Sequence, residues 1–286
     1  MAILHLFVTD LDGTLLRSNA VLSEYALATL TDLLEKGMLF TIASARSLPS
    51  IQAILRGLPL TLPIIELNGA LVSDFASGKH KSVHALDRTM SERVLGLLRE
   101  RGLAPFVAIA MDGQTRLYHG PLNNSAMQWY RDEKVEKGDQ GLVRVDDLEC
   151  APHEATLGFT LLDRHEVLEQ VVREIDRACA GRVKQYLFEH PYCHGFSELS
   201  IQDVGASKAA PIAALQDLLG ATGPAALTVF GDNVNDIEMF KLAGRSVAPS
   251  NAVPAVRRIA THIVASNDDD GIVRWLHALM NEAAGS

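Results

Sequence analysis

Long apolar runs are missing from this 286-residue chain, and no stretch is long and apolar enough to form a membrane-spanning helix. No membrane partner is therefore expected. Positive charge is in deficit: 26 Lys and Arg face 35 Asp and Glu, a formal net charge of −9. A polyanion partner needs clustered Lys and Arg to displace its counterions, so nucleic acid is not expected either. A small anion needs only one local positive pocket and stays open as a ligand. Cysteine is scarce. Cys150, Cys179 and Cys193 are odd in number and widely spaced, which excludes a disulfide framework and a CxxC zinc site. They are expected to be reduced, partly buried thiols. A basic leader is lacking as well. The opening MAILHLFVTDLDGTLL is apolar but broken by two aspartates, so it reads as a buried strand entering a site rather than an export signal, and it points to the cytoplasm. Repeats and low-complexity tracts are absent. What is present is ordinary for a globular chain, 48% hydrophobic and 21% charged, with length enough for two domains.

The first 70 residues alternate strand and helix. Ile3 to Thr9 is a continuous apolar run, as expected of a strand covered on both faces. Ser23 caps a helix with Ala26, Leu27, Leu30, Leu33 and Leu34 on one side, ended by Gly37. Met38 to Ala43 is a second strand, Ser47 and Pro49 open a short helix, and Pro63 to Leu67 is a third strand. Such alternation argues for a parallel sheet with helices on both faces. The pattern then changes. Ala70 to Ser73 and His80 to Ala85 read as a hairpin. Thr89 with Glu92 makes a capping box for a helix to about Arg101. Asp112-Gly113 joins Phe106 to Met111 and Thr115 to His119 in a second hairpin. Pro121 opens a helix, and the polar stretch from Lys134 to Asp147 reads as a surface loop. Thr156 to Leu162, Arg182 to Phe188 and Phe196 to Asp203 read as strands, with a helix capped by Asp163 and Glu166 after the first. The segment His190 to His194 is taken as a loop between two of them rather than a metal site. After Asp203 the alternation returns, through a helix capped by Ser207, strands at Leu227 to Phe230, Ser246 to Ala248 and His262 to Val264, and a final helix led by Asp268 to Asp270. The expected architecture is an α/β, Rossmann-like parallel-sheet core from residues 1–83 and 204–286. An α+β domain of residues 84–203 is inserted into it.

Four short segments carry chemistry. Asp10-Leu11-Asp12-Gly13-Thr14 follows the first strand. Side chains two apart in extended chain share a side, so Asp10 and Asp12 face one cavity, and Gly13 lets the backbone turn. Gly231-Asp232-Asn233-Val234-Asn235-Asp236 follows the strand ending at Phe230, and a helical turn there sets Asp232 and Asp236 on one side. Like charges gathered at one sheet edge require protons or a cation, and oxygen-only donors suit a hard ion such as Mg²⁺. Lys208 begins a helix, where an ammonium and free amides suit phosphate, and Ser44 lies just past the second strand. Taken singly, each has a bland reading: a solvated turn, a surface lysine, a turn cap. Taken together, all four fall where ligands bind in open α/β sheets, beyond the carboxyl ends of the strands.

The pair DLDGTLL and GDNVNDIEMF resembles the haloacid dehalogenase-like hydrolases, and among them the Cof-type sugar-phosphatase group, which carries a large cap inserted after the third strand. Asn68-Gly69-Ala70, Ser250-Asn251-Ala252 and Asp269-Asp270-Gly271 support it. One motif departs: Ser44-Ala45-Arg46 stands where the family usually has Thr-Gly-Arg, which keeps the hydroxyl but changes the backbone position beside it. The resemblance implies a phosphatase acting on a small phosphorylated metabolite. Asp10 is implied as nucleophile and Asp12 as the acid that protonates the leaving oxygen and then takes a proton from water. Mg²⁺ is implied on Asp10, the Asp12 backbone carbonyl and Asp232, with Asp236 positioning a metal-bound water. Ser44 and Lys208 are implied on the phosphoryl oxygens, and Asn235 in orienting loop or substrate. A phosphomutase and a non-catalytic sensor of a phosphorylated ligand are the alternatives. For the leaving group, Arg116, Tyr118, Trp129, Arg131 and Lys184 are candidates, with plain solvent exposure as the ordinary state of each. No feature of the sequence sets an oligomeric state.

Overall fold

The structure is a computed structural model describing residues 4–149 and 155–284; Ile3 and Cys150 lie outside them. Its first half-sheet grows from strand β1 (Leu6–Thr9), buried at every position. Helix α1 (Glu24–Glu35) follows, its first turn closed by Ser23, whose hydroxyl accepts from the Ala26 amide at 2.9 Å. Strand β2 (Leu39–Ile42), helix α2 (Leu48–Ile54) and strand β3 (Ile64–Glu66) come next, then β4 (Leu71–Ser73) and β5 (His80–Val83).

The following stretch holds α3 (Arg88–Glu100), β6 (Phe106–Met111), β7 (Gln114–His119), α4 (Ser125–Glu136), β8 (Leu142–Arg144), β9 (Ala155–Asp163), α5 (His165–Cys179), β10 (Val183–Glu189) and β11 (Ser197–Asp203). The chain ends with α6 (Ala209–Leu219), β12 (Leu227–Phe230), α7 (Ile237–Leu242), β13 (Arg245–Pro249), α8 (Pro254–Arg257), β14 (His262–Val264) and α9 (Gly271–Ala284).

Strands from both chain ends form one parallel sheet in the order β14-β13-β12-β1-β2. Its two faces divide along β1. Phe7 joins the cluster under α1, α2 and α9, while Leu6 and Val8 join the one under α6, α7 and α8. Burial on both faces is what the unbroken apolar runs require. The third strand departs from expectation. β3 touches the parallel sheet through a single bridge, Ala43 to Ile65, and otherwise pairs antiparallel with β4, which pairs with β5.

Residues 106–203 build a separate six-stranded sheet, β10-β11-β9-β6-β7-β8, antiparallel except between β7 and β8. Alternation sorts its side chains: Val107, Ile109, Phe159 and Leu161 meet α3 and α5, while Phe106 and Leu162 meet α4. Among the described residues no helix is long and apolar enough to cross a membrane.

Four local expectations are corrected. Asp87, not Thr89, caps α3, accepting from the Met90 amide at 2.9 Å; aspartate is at least as strong a cap and stands first in the chain. Helix α4 starts after Asn124, whose side chain accepts from the Met127 amide, rather than at Pro121. Residues 134–147 are not one surface loop. α4 runs through Glu136, Lys134 is buried over the Tyr130 ring, and β8 pairs with β7. Asp163 ends β9, paired with Ser197 of β11, so Arg164 takes the N-cap position of α5.

Candidate active site

The two acidic loops leave the sheet side by side. The Asp10 amide donates to the Phe230 carbonyl at 2.9 Å, so the ends of β1 and β12 are tied together at the carboxyl edge. Oxygens of Asp10, Asp232 and Asp236 all lie within 4.8 Å of one another, the one such cluster among the described residues. Two glycines make this approach possible. A Cβ at Gly13, where φ is +73°, would lie 2.4 Å from Asp232 Oδ2, and a Cβ at Gly231 would lie 2.5 Å from the Asp236 carboxylate. Thr14 Oγ1 donates to Asp232 Oδ1 at 2.8 Å, and the Asn251 amide side chain donates to the Gly13 carbonyl at 2.7 Å, fixing the turn.

Lys208 enters from the start of α6, where Gly69 gives it room: a Cβ there would lie 2.1 Å from the Ser207 carbonyl. Its Nζ, fully buried, donates to Asp10 Oδ1 at 2.9 Å and Asp236 Oδ1 at 2.7 Å. The other Asp236 oxygen accepts from the amides of Asp232 and Asn233 at 2.9 and 3.0 Å. Ser44, also fully buried, is held by its own amide on Ile65 and its carbonyl on Asn68. Asn235 donates to Asn68 Oδ1 at 2.9 Å, and its own Oδ1 is buried with no partner.

One lysine does not neutralise three buried carboxylates. Burial, reinforced by Asp236, pushes Asp10 up to about 7 although Lys208 pulls the other way. Burial, with Asp10 and Asp236 adding to it, drives Asp232 well above the usual carboxylate range. Lys208 is itself raised: burial alone would lower it, but the two aspartates outweigh that cost.

Asp12 stands apart from this cluster. Its carboxylate turns toward Arg46, whose Nε donates to Oδ2 at 2.7 Å and Nη2 to Oδ1 at 2.8 Å. The Tyr192 hydroxyl donates to the same Oδ1. Burial would raise Asp12, yet Arg46 and Tyr192 hold it below the usual carboxylate range. Any share of Asp12 in a cation site therefore falls to its backbone. A cleft of about 470 Å³ opens here between the two sheets, lined from one side by Asp10, Asp12 and Asp232 and from the other by Trp129, Glu133 and Tyr192.

Of the five leaving-group candidates only Trp129 lines the cleft. Arg131 pairs with Asp132, and Lys184 with Glu238 at 3.0 Å across the two parts of the chain. The residues 190–196 do form the loop between β10 and β11; His190 Nδ1 accepts from the amides of Tyr192 and Cys193. Sequence reasoning missed Glu133 and Tyr192, and quoted Arg46 only as a letter of a motif. It also passed over Asn267, whose position just before Asp268-Asp269-Asp270-Gly271 was the available signal. Asn267 donates to the Leu16 carbonyl at 2.8 Å, and its amide donates to Asn251.

Residues 7–276 match the family described as haloacid dehalogenase-like hydrolase. The chain is 25% identical over 283 residues to the 5-amino-6-(5-phospho-D-ribitylamino)uracil phosphatase YitU of Bacillus subtilis, covering 95% of this chain and 96% of that one. It is 30% identical over 276 residues to the chloroplastic endoribonuclease YBEY of Arabidopsis thaliana, covering 92% of this chain but 44% of that longer protein. A solved haloacid dehalogenase-like hydrolase from Bacteroides thetaiotaomicron superposes with a TM-score of 0.78 at 22% identity, covering 96% and 99% of the two chains.

Proposed function

The chain belongs to the haloacid dehalogenase-like hydrolases, and from that premise we propose that it is a Mg²⁺-dependent phosphatase that hydrolyses a small phosphomonoester through a phosphorylated Asp10. The observation that carries this reading is the convergence of Asp10, Asp232 and Asp236, the first and last of them bonded to Lys208, beside the cleft that Asp10 and Asp232 line. Residues 1–83 and 204–286 serve as the catalytic core and residues 84–203 as the cap that selects the substrate. The two described cysteines, Cys179 and Cys193, are unbridged, in keeping with a cytoplasmic place of action.

The donor set fits a hard dication: all oxygen, buried, and short of positive charge. Asp10, Asp232 and the Asp12 carbonyl would hold it. Asp236, with one oxygen on Lys208 and the other on two amides, orients water behind them. When bound, the ion offsets charge on the phosphoryl oxygens.

The chain's own groups do the rest. An Asp10 oxygen attacks phosphorus as the bond to the leaving oxygen breaks, and Asp12, which must first take up a proton and turn from the Arg46 and Tyr192 donors that hold it ionised here, transfers that proton to the leaving oxygen. Asp12, now a carboxylate, takes a proton from water as the water oxygen bonds to phosphorus. The bond from phosphorus to Asp10 then breaks and phosphate leaves. A fixed nucleophile removes roughly 7–11 kcal/mol of barrier by avoiding the entropy of encounter. Lys208 steadies both Asp10 and the phosphoryl group, Ser44 supplies a hydroxyl beside it, and Asn235 holds the buried Asn68. The substrate is a sugar phosphate or a related phosphomonoester; the phosphorylated ribitylamino-pyrimidine in the name of the Bacillus relative sets the first compound to try. The test is phosphate release by the purified protein with Mg²⁺ from a panel of such esters. Free phosphate is the expected product; conversion of a monophosphate only into its isomer, or no turnover of any ester, refutes the proposal.

A further inference from the structure

We propose that Glu198 is a specificity-determining residue: its carboxyl accepts a hydrogen bond from a hydroxyl or amine of the leaving group and turns away esters that carry a second anion. The inference rests on the phosphatase reading above and narrows it to one class of substrate.

The cleft of about 470 Å³ is far larger than a phosphoryl group and lies within the range of pockets that hold small molecules. With the phosphoryl group beside Asp10, the leaving group falls to the wall that residues 84–203 supply. Part of that wall is aromatic. Trp129 lies 5.2 Å from His190 and 6.0 Å from Tyr192 between ring centroids, so its half-buried ring is braced from two sides. Glu198 joins this wall from β11.

The two glutamates that enter the wall from α4 and β11 differ in what meets them. Glu133 is taken by Arg46, Lys134 and Lys137. Glu198 lies 3.6 Å from His190 Nε2, beyond hydrogen-bond reach, and no described residue donates to its carboxyl. His190 brings no charge. Its Nδ1 accepts from the amides of Tyr192 and Cys193, which leaves the ring proton on Nε2, and burial brings the imidazole down to about 4.

Cations for an anionic leaving group are lacking. Among the described residues lining the cleft, Arg46 and Lys134 are the only Lys or Arg. Arg46 directs its donors to Asp12, Ser50 and Glu133, and Lys134 is buried between Glu133 and the Tyr130 ring. A carboxylate or second phosphate on the leaving group would meet Glu198 and the exposed Glu189 with no free Lys or Arg among those residues to offset them. Like charges brought together away from water repel strongly. A hydroxyl or amine meets the reverse: a largely buried acceptor that lacks a donor, beside an aromatic ring that suits an apolar ring face or a cation.

The test is kcat/KM at about pH 8, above the value of about 7 to which burial raises Glu198. Three esters share one hexose frame. Glucose 6-phosphate offers hydroxyls, glucosamine 6-phosphate adds an amine, and 6-phosphogluconate carries a carboxylate. The first two should exceed the third by at least about ten-fold, and the leader of the two tells whether a hydroxyl or an amine is read. Glu198→Gln keeps the volume and drops the charge, so it should narrow that gap several-fold by raising 6-phosphogluconate relative to the others. With p-nitrophenyl phosphate, whose leaving group has neither donor nor second anion, the variant should differ least from the parent. The ranking in the parent decides the matter alone if the variant does not fold. Hydrolysis of 6-phosphogluconate as fast as the other two, or equal losses on all four esters in a folded variant, would overturn the inference. No turnover of any ester by the parent would instead refute the phosphatase reading, and this inference with it.

Discussion

The cleft has two charged regions built in opposite ways. On the core side, Asp10, Asp232 and Asp236 crowd together with one lysine, which bonds Asp10 and Asp236, and two of the three are pushed up by burial and mutual repulsion. At the joint between the two parts, Asp12 of the core and Glu133 of the facing side are met by Arg46, Lys134 and Lys137; burial would raise both, yet the cations hold both below the usual range. The first region is short of positive charge, and on the proposed reading a cation completes it. The second is complete in itself and joins the two parts of the molecule. A site that receives a cation and a phosphoryl group is best left unbalanced, whereas a joint that must hold a geometry is best neutralised internally.

The strongest way to break this contrast is Asp10→Asn. It removes the proposed nucleophile and one of three crowded carboxylates at once. Turnover should fall by at least about 10⁴-fold, while the thermal midpoint stays the same or rises, because an amide relieves the repulsion. Phosphate release and a thermal scan check the two halves. A variant that turns over near the parent rate removes the phospho-Asp10 route. Chelation comes next. Excess EDTA should stop turnover reversibly, and adding Mg²⁺ to the stripped protein should raise its midpoint, since an ion that binds only the folded state stabilises it. Full activity in EDTA would mean that the core-side cluster is as self-sufficient as the facing one.

The two regions were unequally legible in the sequence. The core-side carboxylates sit in two compact motifs at strand ends and Lys208 at a helix start, so local pattern was enough to place Asp10, Asp12, Asp232 and Lys208 at one sheet edge and to make the sheet parallel, but not to order its strands. Gly13 was readable as a turn, but not as the clearance that lets Asp232 close in, because that depends on a loop more than 200 residues distant. The facing region left no pattern. Glu133 and Tyr192 acquire meaning only when β10, β11 and α4 are laid against the core. Lys134 looked like the start of a polar loop because sequence period does not reveal a lysine buried over a tyrosine ring. The caps of α3 and α4 were misplaced by two or more residues since several cap-competent residues stood in line and tertiary contacts chose among them.

Glu198 gives the finest test, because it is the member of the facing region that the contrast does not cover. Its carboxyl lies in β11, 3.6 Å from His190. Burial pushes it up to about 7 despite Lys134, and Asp12 and Glu133 add to the rise. Burial likewise brings His190 down to about 4, so the imidazole is neutral there and supplies no charge. The available cations are already engaged by Asp12 and Glu133. The sign follows directly. The folded state holds a proton on Glu198 between its ordinary value near 4.5 and about 7, where the unfolded chain has lost it. This contribution to stability is full below the ordinary value and is lost as pH rises through about 7. The loss is at most about 3 kcal/mol. Glu198→Gln imitates the protonated form at every pH. Its midpoint relative to the parent should therefore climb by a few degrees between pH 5 and pH 8, read by thermal scans at three pH values. A gap that stays constant would mean that Glu198 is ionised throughout and that the facing region neutralises every acid it contains.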